Sequence, residues 1–191
     1  MRSRVRAFVA ILLSEEVRAV VAAGIARLQP LARSVRWVSP ENLHLTLRFL
    51  GERTPEELDL VRDGLSEVVE GAAPFVLSFH GLGAFPGLAR PRVFWVGVTT
   101  GGEDAKQLHA RLDAALARRT IPPDERPFSP HLTIGRARTP THLPAVQEAI
   151  AREGQRGFGE LHVGAISLMQ SELTPAGPRY TELKAFPFGL A

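Results

Sequence analysis

Apolar residues along this chain recur with two different periods, and each change of period marks a new element. Residues 5–13 are apolar, β-branched and aromatic in near-continuous succession, which reads as a buried strand. Ser14 then caps a helix with Glu15 and Glu16 in its first turn. Val17, Val20, Val21, Ile25 and Leu28 form the apolar stripe of that helix. Short strands are expected over 35–38 and 43–50. Thr54-Pro55-Glu56-Glu57 carries a cap, a first-position proline and the glutamate that closes a capping box. Leu58, Val61, Leu65 and Val68 would face inward from that helix, and a strand returns over 75–79.

The second half runs through the same order. A strand is expected over 92–98, and a helix within 101–119 that carries Leu108, Leu112 and Leu116. A proline-rich loop over 121–127 leads to a strand over 131–136. A helix is expected to start at Thr139-Pro140, with Leu143, Val146 and Ile150 on its inner face. Strand regions over 158–169 and 180–186 close the chain.

The two halves match in sequence as well as in pattern. Arg6-Ala7-Phe8 corresponds to Arg92-Val93-Phe94 at an offset of 86, and His44-Leu45-Thr46 to His131-Leu132-Thr133 at 87. Arg53-Thr54-Pro55 corresponds to Arg138-Thr139-Pro140 at 85, as do Leu58, Val61 and Leu65 to Leu143, Val146 and Ile150. A long unit present twice implies two similar lobes rather than a solenoid. The expected fold is α+β: two pseudo-twofold-related lobes, each a small antiparallel sheet with helices on its outer face, and an active-site cleft between them. The whole chain, 1–191, is expected to form one bilobal domain, with the repeat at approximately 4–80 and 90–170 and the crossover at 81–91.

Composition narrows the function classes. The absence of cysteine excludes disulfides, iron–sulfur clusters and thiolate zinc sites, and it fits a reducing compartment. The amino-terminal apolar run ends at Ser14-Glu15-Glu16 without a small-residue cleavage site, so it reads as a strand rather than a leader. No stretch approaches the ~20 apolar residues of a membrane span. A cytoplasmic enzyme is expected, not bound to a membrane. The net charge of +3 says little by itself. Its makeup says more: Lys106 and Lys184 are the only lysines, and the remaining cations are arginines, which suit bidentate phosphate contacts.

The chemistry lies in the two His-x-Thr strands. Alternate residues of a strand share a face, so His44, Thr46 and Arg48 are expected on one face and Leu45, Leu47 and Phe49 on the other. The same alternation pairs His131 with Thr133 against Leu132 and Ile134. Apolar faces must bury, so the polar faces would look at each other across the cleft. Two imidazoles around one centre suit phosphodiester chemistry, because one can take a proton while the other gives one near neutral pH. The threonine hydroxyls can donate to the non-bridging oxygens. No metal is required: neither motif carries an acidic neighbour or zinc-type histidine spacing. The other histidines are not repeated in this way; His109 and His142 read as helix-surface residues, and His80 and His162 as strand ends.

Together these stretches resemble the paired H-x-T-x motifs of the 2H phosphoesterase superfamily. The run from Trp37 to Gly51 is similar to the first motif region of the RNA 2′,3′-cyclic phosphodiesterase family, also called 2′-5′ RNA ligases. Arg90-Pro91-Arg92-Val93-Phe94-Trp95, the run from Pro127 to Thr133 and the run from Leu173 to Tyr180 resemble that family too. The resemblance implies an enzyme without a cofactor that acts on RNA ends bearing a 2′,3′-cyclic phosphate. Hydrolysis leaves a 2′-phosphate, and the reverse reaction joins ends through a 2′-5′ bond. By the same resemblance His44 is the proton donor, His131 the proton acceptor, and Thr46 and Thr133 hold the phosphate. Further substrate contacts are expected from Arg48, from Phe128 or Tyr180 as stacking rings, and from Arg136. Alternation sets Arg136 opposite His131 unless Gly135 permits a bulge. A monomer with no obligatory protein partner is expected. The competing readings are an enzyme for 2′-5′ oligonucleotides or small cyclic nucleotides, and a non-catalytic RNA-binding module.

Overall fold

The computed structural model of the chain describes residues 4–124, 127–139, 142–175 and 177–189. The first half carries β1 (Val5–Leu12), α1 (Glu15–Leu28), β2 (Val35–Trp37), β3 (His44–Arg53), α2 (Pro55–Glu70) and β4 (Phe75–Phe85). The second carries β5 (Val93–Val98), α3 (Gly102–Ala117), β6 (His131–Ala137), α4 (Pro144–Glu153), β7 (Gly157–Val163), β8 (Ala165–Thr174) and β9 (Gly177–Pro187). The fold is mixed α+β, as the sequence implies, with four α-helices and a curled antiparallel sheet among the described residues. Among the described residues no helix is long and apolar enough to cross a membrane.

Local chemistry sets most of the boundaries. Ser14 accepts a hydrogen bond from the Val17 amide at the start of α1. At α2 the expected capping box forms in both directions: the Thr54 amide donates to Glu57 at 2.8 Å, and the Glu57 amide donates to the Thr54 hydroxyl at 3.3 Å. The corresponding start at Thr139-Pro140 is not used. Pro140 lies outside the described residues, and α4 begins at Pro144. A helix begun at Pro140 would need an amide hydrogen from Pro144 one turn later, which proline lacks.

The strand order is β7-β4-β5-β6-β3-β1-β8-β9, with β2 paired to β6. β3 and β6 meet at the Leu45–Leu132 rung. On one side of that rung lie β3, β1, β8 and β9; on the other lie β6, β5, β4 and β7. These groups are not the two halves of the sequence. β4 belongs to the first half but pairs with β5 and β7, while β8 returns from the second half to pair with β1. The crossover expected at 81–91 therefore comes earlier, between α2 and β4, and residues 81–85 continue β4. Likewise 158–169 is not one strand region: β7 and β8 divide at Gly164.

A single buried cluster includes Val9, Leu45 and Ile166 from one side and Phe79, Phe94, Leu132 and Phe158 from the other, all nearly sealed from solvent. Burying each such side chain contributes about 1.5–3 kcal/mol relative to exposure. This core fixes the two motif strands against each other. A second, small cluster of Phe8, Ala10 and Met169, with Tyr180 against it, lies apart from the main core.

Candidate active site

The Leu45–Leu132 rung is the centre of the site. Both leucines are fully buried, and each is flanked by a half-buried histidine and a half-buried threonine. Because the strands are antiparallel about this rung, His44 is directed toward Thr133 and Thr46 toward His131. The two histidines are therefore diagonal neighbours on one face. In a regular antiparallel pair the backbone positions of such neighbours lie about 7–8 Å apart.

Each imidazole is oriented by the backbone two residues before it. His44 Nδ1 lies 2.7 Å from the Asn42 carbonyl oxygen, and His131 Nδ1 lies 2.7 Å from the Ser129 carbonyl oxygen. A carbonyl only accepts, so Nδ1 carries the hydrogen in both rings and Nε2 is the nitrogen free to exchange a proton. His44 Nε2 lies 3.0 Å from the Thr46 hydroxyl. Asn42 is itself held by Nδ2 bonds to the Ser39 hydroxyl and the Pro178 carbonyl, which tie the first motif to β9.

Aromatic rings wall the two imidazoles. Phe8 lies 4.9 Å from His44, and Tyr180 meets it edge-on at 5.2 Å. Phe85 meets His131 edge-on at 5.1 Å and leans on Trp95. Burial lowers the pKa of both histidines below the usual value near 6.5; the carbonyl bonds partly oppose this, and the Arg136 charge adds to it. Desolvation likewise raises the Tyr180 phenol, against the positive charges of Arg136, Arg6 and Arg36.

Two β-bulges decide which other residues reach this face. Opposite β5, the register passes from Thr133 directly to Gly135, so Ile134 is the extra residue. The shift reverses the alternation, and Arg136 emerges exposed on the histidine side, where its charge acts on both rings. Gly135, beside the extra residue, packs closely: a β-carbon there would approach the Trp37 ring to 2.8 Å. Opposite β1, the register passes from Thr46 to Arg48, so Leu47 is extra on β3.

That second bulge corrects the expectation for Arg48. The side chain is 5% exposed and lies on the core side, ion-paired at 2.6 Å to Asp113 and 3.2 Å to Asp124. It also donates to the Pro122 carbonyl. Phe49, expected in the core, is instead 58% exposed and lies beside Phe8 on the histidine face. The sequence match of Phe8 to Phe94 is out of step for the same reason. Ala10 pairs with Thr46 and Trp95 with Thr133, so Trp95, not Phe94, belongs to the cleft; Phe94 is buried in the core.

The remaining expected residues divide. Tyr180 is brought to His44. Phe128 is not a free stacking ring: it packs against the main core and stacks on His109 at 4.3 Å. His109, expected on a helix surface, is half-buried, with Nδ1 donating to the Leu47 carbonyl at 2.9 Å. Sequence reasoning missed Phe85 and Trp95 altogether. Among the described residues, no three His, Cys, Asp or Glu side chains gather into a metal site.

Residues 17–174 match the family model of the 2′-5′ RNA ligase superfamily. The RNA 2′,3′-cyclic phosphodiesterase of Archaeoglobus fulgidus is 38% identical over 184 residues, 95% of this chain and 99% of that protein. That of Methanothermobacter thermautotrophicus is 36% identical over 183 residues, 96% and 98% of the two chains. Among solved structures, TT0787 of Thermus thermophilus superposes with a TM-score of 0.80 at 34% identity, covering 96% of this chain and 97% of the other. E. coli LigT complexed with 3′-AMP superposes with a TM-score of 0.79 at 28% identity, covering 98% and 99%.

Proposed function

Because this chain belongs to the 2′-5′ RNA ligase superfamily, we propose that it hydrolyses the 2′,3′-cyclic phosphate at RNA ends by proton transfer between His44, His131 and the substrate. The observation that carries this reading is the matched pair of imidazoles, each with Nδ1 bonded to a backbone carbonyl, so that Nε2 is the nitrogen that exchanges a proton. The relatives bear the name of that activity.

In the proposed reaction the phosphate sits between the rings, held by the Thr46 and Thr133 hydroxyls and the Arg136 guanidinium. His131 Nε2 takes a proton from water as the water oxygen bonds to phosphorus. The bond from phosphorus to O3′ breaks, and protonated His44 Nε2 supplies the proton to that leaving oxygen. The product is a 2′-phosphate with a free 3′-hydroxyl. His131 is then protonated and His44 neutral, and exchange with solvent restores the starting state. Developing charge on the non-bridging oxygens meets donors already in place. A ribose 5′-hydroxyl attacking in place of water gives the 2′-5′ joining reaction by the same two transfers.

Tyr180 and Phe49 would flank the nucleotide on the His44 side. The whole chain, 1–191, acts in this reading as one bilobal cytoplasmic unit, a monomer that engages RNA ends without a protein partner. The test is incubation of an oligonucleotide ending in a 2′,3′-cyclic phosphate with excess chelator, followed by location of the product phosphate. A 2′-phosphate formed at an undiminished rate is expected. A 3′-phosphate, or loss of activity in chelator, would overturn the mechanism.

A further inference from the structure

We propose that Arg48 is a positioning residue of the cleft, which fixes His131 relative to His44 by clamping the chain that enters β6 onto β3. This inference rests on the two-histidine reading and concerns a residue that reaches no substrate.

The clamp has two ties. In the first, the Arg48 guanidinium gathers groups from two other parts of the chain. Nε lies 2.6 Å from Asp113 on α3, a charge contact rather than an aligned hydrogen bond, and Nη1 lies 3.2 Å from Asp124. Nη2 donates to the Pro122 carbonyl. In the second, Phe128 stacks on His109 at 4.3 Å, and His109 donates to the carbonyl of Leu47, the bulge residue immediately before Arg48. His109 Nε2 lies 3.4 Å from the other Asp113 oxygen, which joins the two ties.

Both ties act on the chain that enters β6. Pro122 and Asp124 are one anchor, and Phe128 is the other. Ser129, next to Phe128, is the residue whose carbonyl orients His131. His44 hangs from the same strand as Arg48 and Leu47, so one network centred on the buried Arg48 spans both motifs. The other lobe has nothing comparable at this position: the residue equivalent to Arg48 is Gly135, packed against Trp37 and Val35. Guanidinium suits the task because it holds several acceptors in a fixed plane, whereas ammonium is a compact point charge.

Arg48→Met and Arg48→Lys test the assignment, with the titration of each imidazole followed by NMR alongside steady-state rates. Loosening the Ser129 carbonyl removes the bond that favours protonated His131, so the His131 titration should move to lower pH while that of His44 stays. The kcat of Arg48→Met should fall about tenfold or more with little change in KM, since small misplacements of reacting groups can cost about a hundredfold. Arg48→Lys should recover part of both effects. An equal shift of both histidines, or none in a folded Arg48→Met protein, would overturn the proposal. If Arg48→Met does not fold, Phe128→Leu loosens the second tie without stranding a buried charge. It should shift His131 alone, and an unmoved His131 there would also overturn it. The NMR readout is independent of substrate, so it separates failure of the clamp from failure of the proposed reaction.

Discussion

Phe49 and Arg136 occupy equivalent positions, each five residues beyond its motif histidine and just past a bulge, yet one is a bare ring and the other a cation. The cleft is thus symmetric in its histidines and threonines and asymmetric in its charge. Arg136 lies close enough to lower the pKa of both imidazoles.

A pH prediction follows from that charge. The reaction needs one histidine protonated and the other neutral, and both pKa values lie below about 6.5. The kcat/KM of the free enzyme should therefore be bell-shaped, with its maximum on the acid side of 6.5. Arg136→Met removes a positive charge that disfavours imidazolium, so both limbs should move to higher pH while phosphate binding weakens. Rate measurements between pH 4 and 8 on both proteins decide this; limbs that do not move would remove Arg136 from the site.

The same depressed values have a stability cost in acid. The unfolded histidines protonate near 6.5 and the folded ones only at lower pH, so the unfolded state gains protons first as pH falls. The stability associated with these two neutral rings is fully present above about 6.5 and declines below it. Denaturant melts of the wild type and of a His44→Gln/His131→Gln protein should diverge in slope through that range.

Single replacements His44→Ala and His131→Ala should each lower the rate by about 10²–10⁴-fold, the usual worth of a positioned acid or base. The double variant should be little worse than either single one, because the two transfers form one cycle. Circular dichroism and thermal melts should remain cooperative. Retained activity in both single variants would end the two-histidine account.

Thr46→Val and Thr133→Val keep shape while deleting one donor each. A hydrogen bond to a charged group contributes about 1.5–3 kcal/mol, so each should lower kcat/KM about ten- to a hundredfold. Competitive inhibition by inorganic phosphate should weaken in parallel. If neither rate nor inhibition responds, the hydroxyls do not hold the phosphate.

Gly135→Ala would force a methyl group to within 2.8 Å of the Trp37 ring and 3.0 Å of Val35. Overpacking of this kind costs about 1–3 kcal/mol. Because the strain falls at the bulge that aims Arg136, activity should drop along with the urea midpoint. A fall in stability without a change in rate would show that Arg136 is placed by other contacts.

Much of this architecture was legible in the chain because it rests on local chemistry. The Thr54 capping box, the apolar stripes of α1 and α2 and the faces of His44–Leu45–Thr46 and His131–Leu132–Thr133 follow from spacing alone. Alternation failed at Leu47 and Ile134, where one extra residue reverses the side chains that follow it. Gly135 offered a cue to the bulge at Ile134, and Arg48 offered none for the bulge at Leu47. The strand exchange of β4 and β8 was also out of reach, since periodicity reports what an element buries and not which neighbour it pairs with. Phe85 was hidden because it lay in the segment expected as the crossover, whereas β4 runs on through it, and Trp95 because the Ile134 bulge puts it rather than Phe94 on the cleft side.

That exchange has a consequence for how the molecule is made. As the chain leaves the ribosome, β1 acquires β3 early, but its other edge stays open until β8 has emerged. A nascent chain that stops short of β8 already carries both imidazoles, yet it lacks Met169, Tyr180 and the Pro178 carbonyl that anchors Asn42. It also exposes an apolar strand edge open to misplaced pairing. The wall around His44 is therefore a late product of translation, completed by the last strands synthesised.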